Sequence, residues 1–362
     1  MPQLELEQGT QESQASRTGR SSGVYSSLNF RWLLFDFGST RATLAAEKFQ
    51  SAALGFDLAV QEREVIREIV SAYYKVVVQS SLLDISREAS NYANQSRDFA
   101  QARFDSQIGS KSDLLNAIVA SRRAAIHFTQ VKGELMIAQA ELAAAMGLTP
   151  SASKELMVVK LTDSSDLEAD MLSLKSILEH YANLHPAYLS AEAKYQADVS
   201  RIDSIKYDRR PKLFLNGGGR YDYNAFSKRS AQWGFAISFP LFDGYGSAYN
   251  EVLATQLAKA SGLEAVKIRN SIELRLYNLY ALLDSSFETI QSARGAASAA
   301  QEAIEVVQGM YKAGVGSMTD VLATQASWLD SEQSKIRALA DWLSYRMQLA
   351  AEIGEIKGMD GG

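Results

Sequence analysis

Cysteine is absent from the 362 residues, which removes disulfides, thiolate nucleophiles and cysteine metal sites together. Histidine is scarce: His127, His180 and His185 show neither HxxxH nor HExxH spacing, so neither metal binding nor catalysis is expected of them. No apolar run reaches the ~18 residues of a transmembrane α-helix. The opening Met1-Pro2-Gln3-Leu4-Glu5 is neither basic nor followed by the apolar core of a signal peptide. The formal charge of −5 gives no reason to expect a nucleic-acid partner. Gly217-Gly218-Gly219 lacks the Gly-Lys-Ser/Thr of a phosphate loop and a following βαβ unit. With no nucleophile–base pair either, no enzyme and no cofactor are expected.

What the chain has is an internal repeat. Leu34-Phe35-Asp36 returns as Leu241-Phe242-Asp243, and Ile108-Gly109-Ser110 returns as Val315-Gly316-Ser317 (316 − 109 = 207). Leu142 to Gly147 returns as Leu349 to Gly354 at the same offset of 207. Two aligned copies without a gap over this distance mean a duplicated structural unit. Upstream, Pro2-Gln3-Leu4 answers Pro211-Lys212-Leu213, but nothing before Pro2 answers Thr149 to Arg210. That mismatch predicts a leader and a first helical segment ahead of Met1.

Proline is also scarce, at positions 2, 150, 186, 211 and 240 only. Proline breaks helix interiors, so 41–147 and 241–354 read as long helical tracts, rich in Ala, Leu, Glu, Gln and Arg. A helix over 39–107 would be about 100 Å long at 1.5 Å per residue. A turn at Gly109 and a helix over 112–146 follow, with Ser112-Asp113 as its expected cap. The second copy repeats the plan at 247–313 and 318–353, with Thr319-Asp320 as the cap. A shorter helix is expected over 186–207.

Ahead of each long helix the period changes to two. Leu28, Phe30 and Trp32 alternate with polar residues, as do Leu213 and Leu215 and then Trp233, Phe235, Ile237 and Phe239. Strands are expected over 2–12, 24–35, 211–224 and 230–241. About ten residues is the length of a tilted transmembrane β-strand, and an apolar face opposite a polar one suits lipid outside and water inside. A half-buried sheet in a soluble protein would show the same alternation. Only the long helices speak against it. Four strands cannot close a barrel, and open edges are not tolerated in lipid, so a membrane reading demands several chains.

In this order of elements the sequence resembles the TolC-like outer-membrane efflux family across 2–354. The resemblance rests on the duplicated strand–strand–helix–turn–helix unit, the Leu-Phe-Asp before each long helix, and the Gly-Ser-x-x-Asp turns. It implies a mixed fold of long antiparallel α-helical hairpins joined to four strands of a trimeric twelve-stranded β-barrel. It implies two repeats, 1–147 and 186–354, an equatorial insert over 148–185 and a disordered tail over 355–362. The implied function is a passive channel-tunnel in the outer membrane, the exit duct of a tripartite efflux pump or a type I secretion system. Its implied partners are two further copies of the chain, outer-membrane lipid, a periplasmic adaptor and an inner-membrane pump.

By the same resemblance Ile108, Gly109, Ser110, Val315, Gly316 and Ser317 meet the adaptor, and Asp113 and Asp320 form an acidic constriction. Asn116 and Ala323 stand where a second acidic residue can occur, so the ring carries less charge than a doubled one. Both aspartates also fit a role as helix caps. A cytosolic coiled-coil scaffold would explain the helices but not the aromatic strands. Nothing in the sequence selects between drugs, metal ions and polypeptide as cargo.

Overall fold

The computed structural model describes residues 2–15, 19–151, 181–223 and 228–354. The elements run β1 (Gln3–Ala15), β2 (Gly19–Phe35), α1 (Ser39–Asp105), α2 (Lys111–Ala145), α3 (Pro186–Asp208), β3 (Lys212–Tyr223), β4 (Lys228–Ser238), α4 (Gly246–Lys312) and α5 (Met318–Ile353). The expected insert falls largely on 152–180, and the expected tail on 355–362; both lie outside the described residues. His180 lies there too. No described helix is long and apolar enough to cross a membrane.

The chain divides into two compact units. The first comprises Met1–Asp57 and Pro186–Ile268, the second Leu58–His185 and Arg269–Gly362.

In the first unit the four strands form one antiparallel sheet in the order β1-β2-β3-β4. Directly paired residues share a face, and the register sorts the sheet cleanly. Leu4, Phe30, Gly217 and Trp233 lie in one row, Leu6, Leu28 and Gly219 in the next, and Trp32, Leu215 and Phe235 in a third. The opposite face carries Gln3, Arg31 and Asn216 in one row and Glu5, Asn29 and Gln232 in another. A bulge at Leu34 shifts the register, so that Phe35 rather than Leu34 pairs with Leu213. The strands have 13, 17, 12 and 11 residues. Phe239 is not among them, because pairing ends at Ser238, just before Pro240, which has no N–H to continue a ladder.

The Leu-Phe-Asp motif has a structural reason. Asp36 accepts hydrogen bonds from the backbone N–H groups of Gly38 (3.1 Å) and Thr40 (2.7 Å), capping α1. Its repeat mate Asp243 accepts from the N–H of Ser247 at 2.8 Å, capping α4. The chain between each aspartate and its helix takes two left-handed residues, Phe37 and Gly38 in one copy, Gly244 and Tyr245 in the other. Against α1 and α4 the unit packs mostly alanine, with Ala46, Ala53, Ala193, Ala197, Ala258 and Ala265 all buried. Small residues let helices approach closely. At Gly262 a Cβ would sit 3.2 Å from the Tyr195 ring.

In the second unit the helical packing is periodic. The buried residues Leu276, Leu283, Ile290, Ala297, Ile304 and Tyr311 of α4 follow one another at intervals of seven. A sustained seven-residue repeat keeps one seam of a helix against its neighbour and imposes a left-handed supercoil. Separate clusters join the helices at three levels: Val76 with Ala138 and Leu142, Leu82 with Val131 and Ile336, and a group at the turns described next.

Candidate functional site

Two surfaces follow from this architecture: the paired turns of the second unit and the two-faced sheet of the first.

Each long helix ends in the same motif. Gln107 (φ 62°) and Gly314 (φ 81°) are left-handed, and the N–H groups of Ile108 and Val315 donate to the carbonyls of Arg103 and Met310, each at 3.0 Å. This is the Schellman arrangement, in which a left-handed residue lets the chain turn back and satisfy the last helical carbonyls. The expected turn glycines therefore do something else. Gly109 and Gly316 lack positive φ, yet a Cβ on Gly109 would lie 2.9 Å from Arg103 Cβ, and one on Gly316 3.1 Å from the Tyr311 nitrogen. They are glycine for space, because the chain folds tightly against the last turn of the helix it has just left.

The caps of α2 and α5 lie two residues before where sequence placed them. Ser110 and Ser317, not the Ser112-Asp113 and Thr319-Asp320 pairs, are the N-cap residues. Their hydroxyls accept from the N–H groups of Asp113 (3.0 Å) and Asp320 (3.1 Å). That puts both aspartates three residues past the cap, in the first turn, where a negative charge meets the positive end of the helix dipole. Asp320 also accepts the Ser317 hydroxyl, at 2.7 Å.

The structure brings the two turns together. Ala100, Leu114, Ala117, Tyr311, Met318 and Val321 form one buried cluster drawn from both copies. Arg103 donates to the Tyr311 carbonyl at 2.8 Å and lies over its ring, and the Lys312 ammonium lies 4.5 Å from the Phe99 ring. Burial pushes the Tyr311 phenol up, the charge of Asp113 pushes the same way, and Arg103 opposes both. Ile108 and Val315 remain 70% and 73% exposed, so these two apolar side chains point away from the core.

On the sheet, Leu28, Phe30, Trp32, Leu213, Leu215, Trp233, Phe235 and Ile237 all fall on the one apolar face. Trp233 is 82% exposed and Ile237 75%, so nothing in a single chain covers them. Leu4, Leu6 and, through the bulge, Phe35 join that face. On the polar face the Tyr25 hydroxyl of β2 donates across to Glu7 of β1 at 2.9 Å, and along β3 Arg220 donates to Asp222 at 2.9 Å. The outer edges of β1 and β4 have no partner strand among the described residues.

The histidines show one surprise. His127 Nε2 lies 3.2 Å from the side-chain nitrogen of Gln333, whereas His185 Nε2 lies 3.1 Å from the buried carboxylate of Glu352. The sequence could not show this pairing, because a partner 167 residues away leaves no local signal. Among the described residues no group of side chains is arranged to hold a metal.

The sequence pattern of the family described as outer membrane efflux protein matches residues 1–148 and 178–355. The chain belongs to that family. As an outer membrane efflux protein it is a non-enzymatic channel of the outer membrane, of TolC type, reaching into the periplasm. Protein CyaE of Bordetella pertussis is 25% identical over 335 residues, covering 90% of this chain and 69% of that protein. The solved outer membrane protein VceC of Vibrio cholerae has a similar fold, with a TM-score of 0.80 and 18% identity over 98% of this chain and 87% of that one. The CmeC outer membrane channel of Campylobacter jejuni gives a TM-score of 0.85 at 14% identity, over 98% of this chain and 78% of that one. The paired turns, the long helices and the four-stranded sheet are thus this family's fold, and the coiled-coil scaffold is set aside.

Proposed function

We propose that three copies of this outer membrane efflux protein close their sheets into one twelve-stranded barrel and form the passive exit duct of a tripartite efflux or type I secretion machine. Channels of the TolC family form trimers in tripartite pumps. The observation that carries the reading for this chain is the sheet: apolar and exposed on one face, polar on the other, with both edges open. In lipid each unpaired backbone group costs several kcal/mol, and pairing β4 of one copy with β1 of the next removes both edges at once. The apolar face then meets outer-membrane lipid and the polar face lines the water-filled lumen.

At the turns, Ile108, Gly109, Ser110, Val315, Gly316 and Ser317 form the surface that receives a periplasmic adaptor, itself coupled to an inner-membrane pump. Three-fold symmetry gathers Asp113 and Asp320 around one axis, where like charges in a narrow pore focus potential and favour cations.

The absence of cysteine makes the test clean. Single cysteines placed along β1 (Leu4→Cys, Leu6→Cys) are combined in one chain with single cysteines along β4 (Ala231→Cys, Trp233→Cys). Oxidation in outer membranes should yield covalent dimers and trimers and nothing larger. Monomers alone from every pair, or an open ladder of higher species, would overturn the barrel.

A further inference from the structure

Glu352 is a carboxylate with only 8% exposure, one residue from the end of α5, where the helix dipole disfavours negative charge. It is held there by partners from several directions. Arg67 of α1 and Arg275 of α4 donate to Oε1 at 3.1 and 3.2 Å, and His185 lies 3.1 Å from Oε2. Arg63 of α1 donates at 2.6 Å to the backbone carbonyl of the same residue, and Glu64 pairs with Arg67. Gly354 completes the fit: its φ is +84°, and a Cβ there would lie 2.8 Å from Arg63 Nη2.

The position of this cluster in the chain is what gives it meaning. The chain passes between its two units at Asp57–Leu58, His185–Pro186 and Ile268–Arg269. Arg63 and Arg67 follow the first crossing, His185 is the last residue before the second, and Arg275 follows the third. All of the cluster lies in the second unit. The first copy has no such cluster, for the positions matching Glu352 and Arg275 at the 207-residue offset are Ala145 and Glu68. An ionic node that breaks the internal repeat and sits beside every crossing is not explained by the duplication.

We propose that Glu352 closes a clamp within the second unit, fastening the end of α5 to α1 through Arg63 and Arg67, to α4 through Arg275 and to His185, so that this end of the second unit behaves as one rigid piece. The turns at the far end of α5 lie about 54 Å away along a 36-residue helix, and are left to move on their own. Burial pushes the Glu352 carboxyl up, but the His185 hydrogen bond and the Arg275 charge outweigh it and hold the group below its ordinary range. A lowered value in the folded state means that the clamp is fully made above the ordinary carboxylate range and is lost as pH falls through the lowered value. Removing one partner of a buried ionic group leaves the others uncompensated. The clamp should therefore fail as a whole only when Glu352 itself, the residue all the partners share, is lost.

The test is amide hydrogen exchange on the assembled full-length protein in detergent, for wild type, Glu352→Gln and Arg275→Gln, corrected for intrinsic exchange. In Glu352→Gln, amides 349–353 and 269–276 should exchange at least about tenfold faster, a local opening rather than a global one, while amides 314–321 at the turn keep their rate. Arg275→Gln, which leaves Arg67 and His185 in place, should give a smaller change in the same segments. Unchanged exchange at 349–353, or an increase of equal size at the turn, overturns the clamp. If Glu352→Gln does not assemble, wild type titrated downward from neutral pH decides the matter. Segments 349–353 and 269–276 must open before the turn does, and simultaneous opening overturns the proposal.

Discussion

Arg103, in the last turn of the first copy's long helix, donates to the backbone carbonyl of Tyr311 in the last turn of the second copy's, at 2.8 Å. One side chain thus fastens the two turns to each other. The acceptor is a carbonyl at a helix C-terminus, where partial negative charge accumulates and a guanidinium is favoured. The residue matching Arg103 in the second copy is Met310, so the tie runs one way only.

Arg103→Met puts the second copy's residue into the first and removes the tie while keeping an apolar stem. A hydrogen bond from a charged donor contributes about 1.5–3 kcal/mol, and partial exposure puts this one at the low end. Single-channel conductance in planar bilayers should rise and the open state should last longer. Wild-type conductance in the mutant would mean that the tie does not restrain the turns.

The turn glycines separate by geometry. Gly109→Ala should destabilise its turn by about 1–3 kcal/mol through overpacking, and Gly316→Ala by less, since its nearest contact is 3.1 Å rather than 2.9 Å. Gln107→Gly should do the reverse and stabilise by up to about 1 kcal/mol, because it relieves a left-handed non-glycine. Thermal melts of the purified assembly order the three. Bulkier Gly109→Val and Gly316→Val should impair export while trimer yield stays near wild type.

Charge at the two turns can be changed without changing size. In Asp113→Asn/Asp320→Asn the serine caps persist, since Ser110 and Ser317 accept backbone N–H groups. Reversal-potential measurements should show reduced cation preference and weaker block by multivalent cations. Selectivity equal to wild type would confine both aspartates to the helix ends.

Neighbouring residues on β4 test the faces of the sheet. Trp233→Arg puts a charge on the apolar face, at a cost of about 2–4 kcal/mol near the bilayer midplane and less toward its surfaces. Gln232→Arg puts the same charge on the polar face and should assemble normally. Equal yields of folded trimer from the two variants would refute the assignment of faces.

The helix caps carry a pH dependence of known sign. Partial burial raises the Asp36 carboxyl, but hydrogen bonds from Thr40 and Gly38 outweigh it. Hydrogen bonds from Ser247 lower Asp243. Both groups thus lie below their ordinary range, and their stabilisation is complete above it and lost as pH falls through the lowered values. Exchange of amides 40–43 and 247–250 should accelerate only under such acid conditions. Asp36→Asn and Asp243→Asn, which still cap, should flatten that profile.

Much of this was legible because repetition is a strong signal. A constant offset of 207 located both turns and both strand–helix junctions, and period two identified the apolar face of the sheet. Period could not reveal the bulge at Leu34, which moves Phe35 onto the face that Leu34 would have taken. Nor could residue identity tell a glycine needed for its φ from one needed for space: Gln107 carries the left-handed turn two residues before Gly109. The cap was misplaced by counting from the aspartate, because Ser110 and Ser112 look alike to a sequence rule and differ only in which hydroxyl reaches an N–H. Glu352 was invisible, since its ligands are scattered from Arg63 to Arg275.

The two left-handed residues between each strand and its helix record how the duplicated copies drifted apart. Both copies keep the same backbone, yet one spends its glycine on the second position and the other on the first, leaving Phe37 and Tyr245 in a conformation that side chains avoid. Each of these aromatics meets another edge-on, Phe37 with Phe35 and Tyr245 with Phe242. Aromatic rings settle where hydrocarbon gives way to water. A trimer would carry six such pairs around its collar, a float line that fixes how deeply the barrel rides in the bilayer and resists displacement in either direction.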